Sequence, residues 1–171
     1  KILNKPVPPA FRESMSYAEQ NLYARAKQLV GDKDPRHHEF TVQLRAFDAA
    51  KSGAHLGVAA LVALCTSMLK KSIRGGLIIV GELNLGGSIE PIHTPVTRLS
   101  SSWDVCSLRS IEPIHNPVTL AEIAVEKGAT SLLMPVNCRR QLFDLSDDMA
   151  TKIDIQFYQD ARDALLKAIV D

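Results

Sequence analysis

The sequence predicts an α/β domain, and three observations carry that reading. The run Val58-Ala59-Ala60-Leu61-Val62-Ala63-Leu64-Cys65 is apolar on every side. A helix of that kind is either a core helix or a membrane span, and this one meets Thr66 and Ser67 too soon to cross a bilayer. Short apolar runs rich in β-branched or long side chains, Leu77-Ile78-Ile79-Val80 and Ser131-Leu132-Leu133-Met134, read as buried strands. Helical periodicity returns around Leu120 and again around Ala161, so strands and helices alternate along the chain.

Taken in order, Pro6, Pro8 and Pro9 keep the first residues extended, and residues 1–15 are expected to be a linker. Because the chain opens on Lys1 with no Met, it reads as a fragment of a longer protein. A helix and turn are expected over 16–36. Ser16-Tyr17-Ala18-Glu19 is a capping box, Leu22, Ala26, Leu29 and Val30 give an apolar face, and Gly31 ends it. Residues 37–171 then form the main domain. Phe40, Val42 and Leu44 alternate with polar neighbours as a half-buried strand, and the buried helix closes near Lys70 and Lys71. Leu77–Val80 is expected as a central strand running on into Gly81-Glu82-Leu83-Asn84-Leu85-Gly86-Gly87. Gly128 stands at the C′ position of the Leu120 helix, Pro135 stops the next strand, and Asn137 can cap a short helix through Leu142. Ile153–Phe157 alternates as a strand, and Ala161, Leu165, Ala168 and Ile169 make a final amphipathic helix.

One feature stands apart from this pattern. Residues 88–97, Ser-Ile-Glu-Pro-Ile-His-Thr-Pro-Val-Thr, recur at 110–119 with Asn116 in place of Thr94. Two copies do not make a solenoid, so this is read as a local tandem duplication. Either copy can hold the parent position: the second runs straight into the Leu120 helix, and the first follows directly from Gly86-Gly87.

Composition narrows the function. The 171 residues are 46% hydrophobic and 23% charged, with a formal net charge of +1. That balance gives no electrostatic case for nucleic acid or an acidic membrane. Cys65, Cys106 and Cys138 are odd in number and far apart, which fits neither a disulfide framework nor a zinc site and points to a reducing, cytoplasmic compartment. No signal peptide or membrane segment is visible.

The candidate site is the turn Lys51-Ser52-Gly53-Ala54-His55-Leu56-Gly57, which opens into the buried helix. Glycines four apart allow a tight turn with exposed backbone, and such a turn at a helix N-terminus suits an oxyanion hole or a phosphate cradle. It equally suits a plain strand-to-helix connection.

With these pieces in order, the chain resembles the C-terminal proteolytic domain of Lon proteases. The resemblance rests on the strand, the Lys51-x-Gly53-x-x-x-Gly57 turn, the buried helix, Gly81-Glu82-x-x-Leu85-x-Gly87, a Pro-Ile, a helix and Leu133-Met134-Pro135, with Asn137 where the family has an Asn. It covers Phe40 to Val170 apart from the duplicated segment, and it implies a Lon proteolytic-domain fold of the ribosomal S5 domain 2-like type in a single domain. The family's chemistry is a Ser–Lys dyad, in which a desolvated lysine removes the proton of the attacking hydroxyl. Here the nucleophile's position holds His55, and the lysine's holds Val118 in the second copy or Val96 in the first. Valine accepts no proton, and Arg98 nearby stays charged. Ser52 beside Lys51, or Ser52 with His55, is the available substitute pair. His55 with His93 or His115 is an alternative metal or phosphoryl-transfer set.

A Lon-type domain without its dyad looks like the Lon-related bacterial proteins that include the Lon-like component of BREX phage-defence systems. That resemblance implies a domain following an AAA+ module that binds ATP and Mg, assembles as a ring and is implicated in engaging phage DNA. This chain has no Gly-x-x-x-x-Gly-Lys-Ser/Thr, so no cofactor is expected within it and nucleotide chemistry falls to the absent module. The expected partners are that module, further copies in a homo-oligomeric ring, and a protein or DNA partner of the full assembly, with no membrane. The other readings are an active peptidase with a relocated nucleophile and a small-molecule or nucleic-acid binding module unrelated to Lon.

Overall fold

Helix α1, Pro9–Ala24, begins well before the expected capping box. Pro9 sits in its first turn, where a preset φ suits a helix and the missing N–H costs nothing. Phe11, Met15, Ala18 and Leu22 then recur at helical spacing, and all four are buried. Residues 9–15 are therefore core-forming helix and not linker, and Ser16 to Glu19 lie inside the helix. In this computed structural model the described residues are 1–3, 7–43, 56–84, 86, 89–90 and 117–170. After Arg25 the chain makes a short second helix, α2, Ala26–Leu29, and turns at Gly31 with φ +67°. Val42 forms a parallel bridge with Ile2, where the sequence reading placed a strand through Leu44; Leu44 lies outside the described residues.

The buried helix is α3, Gly57–Leu69. Val58, Leu61, Val62, Leu64, Cys65 and Met68 are buried, with only Ala63 and Ser67 on an open face. Its C-terminal carbonyls are satisfied by the N–H of Lys70 to Ser67, the N–H of Lys71 to Thr66, and the Lys33 ammonium to Met68 O at 2.6 Å.

Strand β1, Ser72–Ile73, precedes β2, Leu77–Ile79, and β3, Glu82–Leu83, pairs antiparallel with β4, Ile89–Glu90. Helix α4, Pro117–Glu126, ends at Gly128, whose φ of +74° fits the C′ position expected for it. Strand β5, Ser131–Pro135, a 3-10 segment over Val136–Asp144, helix α5, Asp147–Lys152, strand β6, Asp154–Tyr158, helix α6, Ala161–Ala168, and strand β7, Ile169–Val170, follow. β2, β5 and β6 form a parallel sheet in that order, and β1 pairs antiparallel with β7. The sequence reading put Leu77–Val80 at the centre of the sheet. Among the described residues β5 is central, with Leu132, Leu133 and Met134 at most 1% exposed, whereas Leu77 to Ile79 keep partial exposure at an edge.

β5 divides two cores by its alternation. Leu133 faces α1, α3 and α6, packing with Phe11, Leu22, Leu61 and Leu165. Leu132 and Met134 face the other way, toward Ala121 and Ala124 of α4, Cys138 and Ile153. Helices thus cover both faces of a parallel sheet, the α/β arrangement expected. Of the duplicated segments, only the backbone of Ile89–Glu90 in the first copy and Pro117–Thr119 in the second fall among the described residues.

Candidate functional site

Lys51, Ser52, Gly53 and His55 lie outside the described residues, as do Val96, His93 and His115. The described part of the site is the mouth of α3 and what it rests on. Gly57 starts the helix hard against β3: a Cβ there would sit 3.1 Å from Leu83 N and 3.3 Å from Leu83 Cβ. The N–H of Val58 donates to the Gly81 carbonyl at 3.4 Å. That first-turn amide is engaged within the chain and is not open to a substrate oxyanion.

Gly81 has a stricter requirement. A Cβ at this position would lie 1.8 Å from the Tyr158 hydroxyl oxygen and 3.0 Å from Val58 Cγ2. Tyr158, at the end of β6, is 0% exposed, and its hydroxyl donates to the Val80 carbonyl at 2.6 Å. Burial, with the nearby Cys138 adding to it, pushes this phenol far above its ordinary value, so it stays a donor. The two matched glycines, Gly57 and Gly81, are thus places where the α3 mouth, β3 and Tyr158 meet too closely for a side chain.

Helix α1 closes the same region from the other side. Asn21 is 1% exposed; its amide donates to Tyr17 O at 2.8 Å and to Asn84 O at 3.0 Å. Arg25 donates to Asn21 Oδ1 at 2.6 Å and also to the Gly86 carbonyl. The motif signal did not single out Tyr158, Asn21 or Arg25. For Asn21 a weak cue existed, an amide set between Ala18 and Leu22 on an otherwise apolar stripe.

Val118, the one described position of the expected dyad pair, is half-buried in the first turn of α4. That helix buries Ala121 and Ala124 in the second core, whereas α3 belongs to the first. His37 and His38 lie in an exposed turn, with His37 Nδ1 4.0 Å from Asp34 Oδ2. Among the described residues no group of three or more His, Cys, Asp or Glu could hold a metal ion, and no helix is long and apolar enough to cross a membrane.

Cys65 is the buried thiol of α3. Burial pushes its thiol from about 9 up to about 12. A raised folded-state pKa favours the fold fully below the unfolded value and loses that contribution as pH climbs through the folded one. Urea unfolding at stepped pH should therefore show stability declining above about pH 9, with Tyr158 adding to the decline further up. Cys65→Ala should flatten the first part of it, and native Cys65 should resist thiol reagents at pH 8.

Comparison with known proteins bears on what this architecture belongs to. No family model matches the chain. Over 166 residues, 97% of its length, it is 24% identical to the Lon-like protease BrxL of Escherichia coli O9:H4 (strain HS). The chain is similar to BrxL. Over 158 residues, 92% of its length, it is also 22% identical to the BrxL of Bacillus cereus (strain H3081.97). These matches support a BREX-type Lon-like protein, as the motifs indicated, and 97% coverage extends beyond the Phe40–Val170 region that the motifs spanned. The chain spans about a fifth of the length of the BrxL proteins it matches, 20% of each.

Proposed function

We propose that this chain is the C-terminal Lon-type domain of a longer ATP-dependent AAA+ protein, kept as an assembly and partner-binding platform without peptidase activity. The observation that carries the reading is the pair of identities at the dyad positions, His55 for the serine and Val118 or Val96 for the lysine. Losing one member can be repaired by a neighbour; losing both leaves no alcohol to attack and no amine to take its proton. The Lon proteolytic-domain fold is part of the proposal. It is supported by the buried α3 after its glycine turn, by the tight seats of Gly57 and Gly81, and by the BrxL similarity. ATP and Mg would bind in the AAA+ module. The partners would be that module, further copies in a ring, and a protein or DNA partner engaged through the whole assembly in phage defence.

The second reading is an active serine peptidase using Ser52, favoured by Lys51 beside it in the same turn. Casein or fluorogenic-peptide cleavage by the full-length protein separates the two. The platform reading expects no ATP-stimulated cleavage above that of a Ser52→Ala control.

A further inference from the structure

Asn21 of α1 and Arg25, the residue that closes that helix, stand four residues apart and reach the carbonyls of Asn84 and Gly86, two residues apart just past β3. One turn before Asn21, the Tyr17 hydroxyl donates to Glu13 at 2.5 Å, and that bond pushes the phenol up. Asn21 holds the Asn84 carbonyl, and Arg25 holds the Gly86 carbonyl while bracing Asn21. Leu83, the last residue of β3 and the neighbour of Asn84, lies buried under Gly57 at the mouth of α3.

We propose that these two bonds make α1 the positional handle of β3: whatever displaces α1 displaces β3, and with it the floor of the α3 mouth. Nothing in the device needs peptidase chemistry, so it stands or falls apart from the platform reading. Buried Asn21 is the central link, because its amide donates to one carbonyl on α1 and to one just past β3. Arg25 braces it from a half-buried position where substitution leaves the core intact.

Hydrogen exchange followed by mass spectrometry on the full-length protein tests this in Asn21→Leu, which keeps bulk but removes the donors, and in Arg25→Ala. Peptides covering 82–90 should exchange at least ten-fold faster in both variants, with peptides from β5 and β6 unchanged. Arg25→Lys, which keeps the charge but loses the fork, should fall between wild type and Arg25→Ala. Unchanged exchange at 82–90 in Arg25→Ala overturns the proposal. So does an equal rise there and in β5 and β6, because the residues would then only stabilise the whole fold.

Discussion

Gly81→Ala is expected to destabilise the domain by about 3 kcal/mol or more, among the larger effects available to a single methyl group. The added Cβ would fall 1.8 Å from the Tyr158 hydroxyl, and neither partner has room to yield. Tyr158 is fully buried and tied to Val80 O, and Val58 stands 3.0 Å away on the other side. Tyr158→Phe alone should cost about 1–3 kcal/mol, because it leaves the buried Val80 carbonyl without its donor. The two changes should be strongly non-additive: without the hydroxyl, the atom nearest the new Cβ in that ring is Tyr158 Cζ at 3.1 Å. Urea denaturation of the four proteins in the cycle measures this coupling.

Phe11→Ala should cost about 3–5 kcal/mol, the usual range for emptying a buried aromatic site. Phe11 is 2% exposed in the core that α1 shares with α3 and α6. A chain shortened to begin at Ser16 would lose Phe11 and Met15 together, both from the same core. Thermal unfolding should show it to be at least as unstable as Phe11→Ala. Equal stability of the shortened and full chains would instead restore the linker reading of residues 1–15.

These two predictions also mark where the sequence was readable. Helix α3, the Gly128 terminus, strand β5 and helix α6 were legible because local periodicity and punctuation decide them. The start of α1 is not legible because Pro8-Pro9 suits an extended segment as well as a helix entrance, and only the burial of Phe11 decides between them. The edge position of β2 depends on which strand pairs where, and a run such as Leu77–Ile79 does not carry that information. At the site, the glycine positions and the dyad identities were visible as motif letters. The contacts that brace it were not: Tyr158 reaches Val80 across 78 residues, Asn21 reaches Asn84 across 63, and Arg25 reaches Gly86 across 61. Side chains that work at such separations leave no periodic trace.

The proposed loss of both dyad members is tested by ATP-dependent casein cleavage with the full-length protein, run as wild type, His55→Ala and Ser52→Ala. No cleavage above background is expected in any of the three. ATP-stimulated cleavage that survives His55→Ala and disappears with Ser52→Ala would contradict the proposal.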